Sequence, residues 1–200
     1  MVQALVFDWG GVLIEDPAPG LMRYCADYLR VRVGDLEAAF ACFGADLQIG
    51  AIDEGALWEG ICRTLSCQAP RVASLWGTAF RAIYRPRPAM FALAARLQHQ
   101  GIHTAILSNT EKVVREYFQE QHYTMFDAEV FSCDEGVAKP APILYERTLE
   151  RLGVAAAATV FLDDRPEFVQ GACHVGMRGI QFQGVQACLA ALHSLGLPVE

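Results

Sequence analysis

Continuous apolar runs and amphipathic stretches alternate along the second half of the chain. Five short segments rich in apolar residues predict strands, at residues 4–7, 102–107, 128–132, 159–162 and 179–182, and the first of them is apolar throughout. Such runs are typical of strands that are covered on both faces of a sheet. Helical periodicity precedes each of the last four runs, at residues 89–100, 112–120, 142–152 and 166–175. This alternation predicts an α/β fold with a doubly wound parallel sheet and right-handed crossovers.

A different pattern occupies residues 16–84, where apolar residues recur at helical spacing and predict four helices and no strand. Two clusters of helix-breaking residues bound this segment, Glu-Asp-Pro-Ala-Pro-Gly at 15–20 and Arg-Pro-Arg-Pro at 85–88. We therefore predict a core domain made of residues 1–15 and 85–200, and a small α-helical cap domain at 16–84, inserted after the first strand.

Polar side chains stand at or just beyond the ends of four predicted strands. They are Asp8, Ser108, Asn109, Lys139, Asp163 and Asp164. Because parallel strands open onto one crevice at their carboxyl ends, we expect these side chains to converge. They comprise a carboxylate nucleophile, hydroxyl and amide groups that can hold phosphoryl oxygens, a cation, and an acidic pair for a divalent metal. This set predicts phosphoryl transfer through an aspartyl-phosphate.

The charge and composition of the chain limit the classes of molecule that it is expected to bind. The 200-residue chain has a net charge of −7 and no cluster of basic residues, which argues against nucleic acid as a partner. Its seven cysteines are odd in number and lack CxxC spacing, so we expect neither a disulfide framework nor a zinc site. We see no signal peptide and no apolar run long enough for a membrane span. We therefore expect a cytoplasmic monomer or homodimer that acts on a small molecule.

Four segments in order resemble the motifs of the haloacid dehalogenase (HAD) superfamily, in its branch with a small helical cap. They are Phe-Asp-Trp-Gly-Gly-Val-Leu at 7–13, Leu-Ser-Asn at 107–109, Val-Ala-Lys-Pro at 137–140 and Phe-Leu-Asp-Asp-Arg-Pro at 161–166. The stretches 136–153 and 161–180 are similar in particular to bacterial phosphatases that act on sugar phosphates such as glucose 1-phosphate.

The resemblance implies a role for each residue. Asp8 would be the nucleophile and a metal ligand, and Gly10 would offer its backbone carbonyl to Mg²⁺. Asp164 would complete the metal site together with Asp163. Ser108 and the backbone N–H of Asn109 would bind the transferring phosphoryl group. Lys139 would neutralise charge on both the phosphate and Asp8.

The chain departs from the family pattern at Gly10, where most phosphatases of the family carry a second Asp as general acid and base. Loss of such a group typically costs about 10² to 10⁴ in rate. Three interpretations follow: a slow or specialised phosphatase, rescue by Glu15 or Asp16, or a protein that binds phosphate without turnover. The function predicted first is therefore a Mg²⁺-dependent phosphomonoester hydrolase of modest activity on a small metabolite such as a sugar phosphate.

Two other departures, Ala141 and Phe168, stand where the family often has Asp and Asn, and we expect both to lie away from the reacting groups. Trp58 and Trp76 are expected to pack inside the cap. One alternative function is a metal-independent 2-haloacid dehalogenase. Two unneutralised carboxylates, at Asp163 and Asp164, would repel its carboxylate substrate. The other alternative is a non-catalytic phosphate-binding module of the same fold.

Overall fold

The computed structural model describes residues 1–199, and at its centre is a five-stranded sheet in the order β3-β2-β1-β4-β5. Every neighbouring pair of strands is parallel. The strands are β1 (Ala4–Phe7), β2 (His103–Ser108), β3 (Ala128–Phe131), β4 (Thr159–Asp163) and β5 (Arg178–Gln181). The predicted doubly wound parallel sheet is confirmed, and the predicted strand ends differ from these by one residue at most.

Helices cover both faces of the sheet. After the cap, these are α6 (Pro88–His99), α7 (Lys112–Glu120), α8 (Ser132–Glu135), α9 (Pro142–Leu152), α10 (Pro166–His174) and α11 (Val185–Ser194), with a 3₁₀ turn at Ala156–Ala158. The sequence pattern misses α8 and α11. The first is a single turn, too short to show periodicity, and the second has an almost continuous apolar stretch that weakens the helical pattern.

The helical cap lies between β1 and α6, and it contains five helices rather than the four predicted. They are α1 (Ala18–Leu29), α2 (Val33–Phe40), α3 (Gly44–Gln48), α4 (Glu54–Leu65) and α5 (Leu75–Ile83). The additional helix α3 follows a sharp turn at Gly44, where a Cβ atom would lie 2.3 Å from the Phe40 ring. A side chain at this position would therefore require the Phe40 ring to move.

The cap contacts the core domain at residues that follow strands β1 and β3. The indole ring of Trp9 meets the ring of Phe80 from α5 at a centroid distance of 5.4 Å. On the same side, Ser132 Oγ donates a hydrogen bond to the carbonyl oxygen of Gln48 at 2.6 Å. The exact boundaries of the two predicted domains remain a prediction.

The sheet order places a topological switch at β1, because β2 and β4 flank this strand on opposite sides. Ligands of open α/β sheets bind at the carboxyl ends of the strands beside such a switch. Asp8 follows β1, and its backbone N–H donates to the carbonyl oxygen of Leu162 in β4 at 2.9 Å. The fold thus brings Asp8 next to the acidic end of β4.

Two expectations from composition are met in the described part of the chain. All seven cysteines are free thiols. No helix within residues 1–199 has the length and apolar character needed to cross a bilayer.

Candidate active site

Lys139 lies between two carboxylates at the bottom of the crevice. Its Nζ is 2.9 Å from Asp8 Oδ1 and 2.6 Å from Asp163 Oδ2, and it also donates to the carbonyl oxygen of Leu107 at 3.1 Å. Burial lowers the pKa of Lys139, but the charges of Asp8 and Asp163 more than offset this effect and hold it above its usual value. Lys139 therefore stays protonated and links the ends of three strands.

Asp8 is almost fully buried at the end of β1. Burial raises its pKa to about 7, although the adjacent Lys139 ammonium acts in the opposite direction, and the charge of Asp163 adds to the rise. The carboxyl is thus held with little water around it and needs further positive charge to stay ionised.

Three carboxylates cluster at this point. Oxygen atoms of Asp8, Asp163 and Asp164 lie within 4.8 Å of one another. Burial raises the pKa of Asp164, and the charges of Asp163 and Asp16 raise it further. With one ammonium among them, the three carboxylates leave an excess of negative charge made of hard oxygen donors, which fits a divalent cation such as Mg²⁺.

The two acids at the end of β4 have different surroundings. Asp163 is fully buried, and in addition to its contact with Lys139 its Oδ1 accepts a hydrogen bond from the Arg165 backbone N–H at 2.9 Å. Asp164 lines the crevice. Gly11, at φ +85°, lets the chain pass beside it, since a Cβ there would lie 2.3 Å from Asp164 Oδ2. Asp164 is therefore the acid that is better placed to hold a metal.

Ser108 and Asn109 end β2 and line the same crevice. The hydroxyl of Ser108 accepts a hydrogen bond from Thr110 Oγ1 at 2.8 Å. The side chain of Asn109 clamps the backbone of Lys139. Its Oδ1 accepts from the Lys139 N–H at 2.8 Å, and its Nδ2 donates to the Lys139 carbonyl at 3.1 Å. The amide group of Asn109 thus positions the lysine loop.

Phe168 corrects an expectation from the sequence. It was expected to lie away from the reacting groups, but it lines the crevice, and its ring lies 4.9 Å from Lys139 Nζ. Phe161 covers the same ammonium at 5.3 Å. Phe168 reaches the site because the first turn of α10 follows directly on the acidic loop. Its aromatic face stabilises the buried cation through a cation–π contact, where the family pattern has a hydrogen-bonding Asn.

The two acids considered as replacements for the missing Asp are placed differently. Asp16 lines the crevice and is close enough to Asp164 for its charge to raise the pKa of that carboxyl. Its Oδ1 also accepts a hydrogen bond from the Ala18 backbone N–H at 3.0 Å, at the start of α1. Glu15 is exposed and its backbone pairs with Arg85. Of the two, the fold brings Asp16 to the site.

The upper wall of the crevice comes from the cap and encloses a cavity of about 380 Å³. Its apolar lining includes Leu21, Met22, Phe40, Trp76 and Phe80. Trp76 packs inside the cap as expected, yet it also lines this wall. The sequence pattern does not reveal such residues, because an apolar side chain at helical spacing looks the same whether it faces a core or a cavity.

Comparison with known proteins identifies the family. A model described as the haloacid dehalogenase-like hydrolases matches residues 2–176. The chain belongs to this family. Among curated relatives of this hydrolase, acyl-CoA dehydrogenase family member 10 of Mus musculus is 25% identical over 99% of the chain and 20% of its own length. Sesquiterpene phosphatase astK of Aspergillus oryzae is 33% identical over 56% of the chain and 58% of its own length. The chain thus spans from one fifth to about three fifths of these relatives.

Solved structures share the fold of this hydrolase. A HAD-like family hydrolase from Porphyromonas gingivalis superposes with a TM-score of 0.79 at 22% identity, covering 98% of both chains. A HAD family enzyme from Bacteroides thetaiotaomicron, solved with magnesium and inorganic phosphate, has a TM-score of 0.74 at 18% identity. The match covers 90% of this chain and 94% of that enzyme. L-2-haloacid dehalogenase from Xanthobacter autotrophicus has a TM-score of 0.65 at 23% identity. The match covers 98% of this chain and 84% of that enzyme. The fold is therefore common to phosphate-binding and dehalogenase members.

Proposed function

We propose that this hydrolase cleaves phosphate monoesters of a small metabolite through an aspartyl-phosphate on Asp8, with Mg²⁺ as cofactor. The observation that carries the proposal is the cluster of Asp8, Asp163 and Asp164 around a single buried Lys139. This excess of carboxylates suits an enzyme that binds a divalent cation together with a phosphate. The phosphatase among the curated relatives, and the neighbour solved with magnesium and phosphate, support the same proposal.

Asp8 and Lys139 carry the first step. A carboxylate oxygen of Asp8 forms a bond to phosphorus while the bond from phosphorus to the organic oxygen breaks, and the departing oxygen takes a proton from Asp16 or from solvent. Lys139, 2.9 Å from Asp8, offsets negative charge on the nucleophile and on the transferring group. In the second step, water attacks the phosphorus and gives its proton to Asp16 or to solvent. The Asp8–phosphorus bond then breaks, which releases phosphate and regenerates the carboxylate.

The remaining residues bind and orient. Ser108 and the Asn109 backbone N–H hold phosphoryl oxygens at the end of β2, and the Asn109 side chain keeps Lys139 in place. Asp8, the Gly10 carbonyl and Asp164 would hold the Mg²⁺ ion, together with Asp163. When bound, this ion supplies positive charge that offsets the negative charge of the phosphoryl oxygens.

The substitution of the usual second Asp by Gly10 predicts modest turnover for alcohols that leave poorly, because the departing oxygen lacks its usual proton donor. Asp16 lines the same crevice and is the candidate replacement. The oligomeric state, monomer or homodimer, and the cytoplasmic location remain predictions.

The structure changes one part of the argument against the dehalogenase alternative. Asp163 is not an unneutralised charge, as the sequence argument assumed, because Lys139 pairs with it. Asp164 still faces the crevice as a carboxylate and would repel a haloacid substrate. The phosphatase therefore remains the better proposal.

The test is hydrolysis of p-nitrophenyl phosphate by the pure protein with Mg²⁺, with EDTA, and with Asp8→Asn. Its good leaving group makes it the substrate that depends least on the missing acid. We expect Mg²⁺-dependent turnover that Asp8→Asn abolishes. Turnover that is absent with Mg²⁺, or equal in wild type and Asp8→Asn, would overturn the proposal. Halide release from 2-chloropropionate would then favour the dehalogenase, and tight phosphate binding without turnover would favour the binding module.

A further inference from the structure

The crevice has two chemically distinct halves. The lower half, at the strand ends, is polar and charged, and Asp8, Ser108, Lys139 and Asp164 line it. The upper half is formed mainly by cap helices and is apolar. A phosphate monoester has the same division, with a dianionic group at one end and an organic group at the other. The residues of the upper half therefore indicate which kind of organic group the site can bind.

Three cap helices supply the apolar wall. Leu21 and Met22 come from α1, Phe40 from α2, and Trp76 and Phe80 from α5. The rings of Phe40 and Trp76 are stacked, with centroids 4.9 Å apart and planes within 2° of parallel. Their continuous packing makes the wall a fixed surface.

Few polar side chains interrupt this wall. Among residues 1–199, Gln48 is the one polar side chain that helices α1, α2, α3 and α5 contribute to the cavity. Glu111, at the start of α7, lines the cavity from the core side. Burial raises the pKa of Glu111. Gln48 and Glu111 thus form one small polar spot against the cap.

This lining does not suit a sugar. Each hydroxyl group that is buried without a partner carries a substantial desolvation cost, and a hexose ring presents several of them. On its cap side the cavity offers one amide, one carboxyl and the indole N–H of Trp76, which has no other hydrogen-bond partner among residues 1–199. These three groups are fewer than the hydroxyl groups of a hexose ring. An apolar group instead gains affinity from each carbon that leaves water, and the cavity volume of about 380 Å³ lies in the lower range of cavities that hold small ligands.

We propose that the substrate of this hydrolase is the phosphate monoester of an apolar alcohol of alkyl, prenyl or aryl type. The organic group carries at most one polar group, which would form a hydrogen bond with Glu111 or Gln48. This inference rests on the proposed phosphatase function. It departs from the sugar phosphate that the sequence resemblance suggests. The lower half of the crevice binds the phosphate, and the apolar cap wall contacts the organic group.

The test is calorimetric titration of the Mg²⁺-loaded protein with a series of n-alkyl phosphonates, from ethyl to hexyl, which bind without being cleaved. Each added methylene is expected to tighten binding about fourfold until the cavity is full. A matched pair, cyclohexyl phosphate and myo-inositol monophosphate, titrated into Asp8→Asn so that neither ester is cleaved, measures the cost of hydroxyl groups on a ring of the same size. We expect the cyclohexyl ester to bind at least about tenfold more tightly.

Two variants at one position assign the effect to the wall. Met22→Gln keeps the length of the side chain but adds an amide, and it should reduce the gain per methylene to less than about twofold. Met22→Leu should keep the wild-type dependence. Melting temperatures of both variants confirm that they are folded.

The outcomes separate the two proposals. Binding that does not change with chain length, or tighter binding of the inositol ester, overturns the apolar substrate class. Hydrolysis of acetyl phosphate, a small activated compound that reaches only the lower half, tests the phosphatase activity by itself. If acetyl phosphate is not hydrolysed but affinity rises with chain length, the phosphatase proposal fails and the apolar ligand class stands.

Discussion

The ammonium group of Lys139 lies 2.9 Å from the carboxylate of Asp8, although one residue comes from the loop before α9 and the other from the end of β1. The same ammonium is 2.6 Å from Asp163 at the end of β4. Both side-chain contacts are buried from water. This one cation therefore holds together the strand ends on which the proposed chemistry depends.

Removing Lys139 is expected to destabilise the protein. The variant Lys139→Met leaves Asp8 and Asp163 buried without their partner, a change that costs about 3 to 5 kcal/mol in comparable buried pairs. The measurement is the free energy of unfolding in urea with EDTA present. The double variant Lys139→Met/Asp163→Asn removes one of the stranded charges and should recover part of the loss. A loss below about 1 kcal/mol in the single variant would show that the pair is not important for stability.

Asp8→Asn is expected to lower turnover of p-nitrophenyl phosphate by at least about 10⁴-fold, because the amide oxygen is a poor nucleophile for phosphorus. Asp27→Asn, an exposed position on α1, is the matched control and should keep wild-type activity. Initial rates at saturating Mg²⁺ measure the effect. Residual activity above one per cent of wild type in Asp8→Asn would place the nucleophile elsewhere.

The stability of the metal-free protein should depend on pH through Asp8. Burial raises the pKa of this carboxyl in the folded state to about 7, from an ordinary value of 3.8. The folded state therefore binds the proton more tightly than the unfolded state, and the stability from this group is complete below about pH 4 and lost as the pH rises through 7. Asp8→Asn carries no charge at any pH.

The melting temperature of Asp8→Asn relative to wild type, with EDTA, is thus expected to increase steadily between pH 4 and pH 7 and to level off above that. Differential scanning fluorimetry over this range measures it. A difference that is constant or that shrinks as the pH rises would contradict the raised pKa of Asp8.

Asp16→Asn tests the replacement of the missing acid. If Asp16 protonates the departing oxygen, the variant should lose about 10² to 10⁴ in kcat/KM on an alkyl phosphate. The loss on p-nitrophenyl phosphate should be less than about tenfold, since that leaving group needs no proton. Asn can still cap α1 in place of Asp16, so folding should be retained. Glu15→Gln, at the neighbouring position, which does not line the crevice, is the control. Equal losses on both substrates would exclude the acid role.

Much of the fold follows from local pattern. Strand β1 and the centre of β4, residues 160–162, are apolar throughout because helices cover both faces of the sheet, and such runs are visible in the sequence itself. The helix α3 is a different case. It is only five residues long, too short to show helical periodicity, and its first residue, Gly44, packs against the Phe40 ring.

The sequence by itself determined that Asp8, Ser108, Lys139 and Asp164 would meet, because parallel strands end at one edge and their motifs stand in order. Only the tertiary structure decided that Phe168 covers Lys139, that Asp16 rather than Glu15 reaches the crevice, and that the cap wall is apolar. The physical reason is that strand ends are positioned by backbone hydrogen bonding, which repeats regularly along the chain. The position of a cap side chain instead depends on how several helices pack, and that is a property of contacts between residues far apart in sequence.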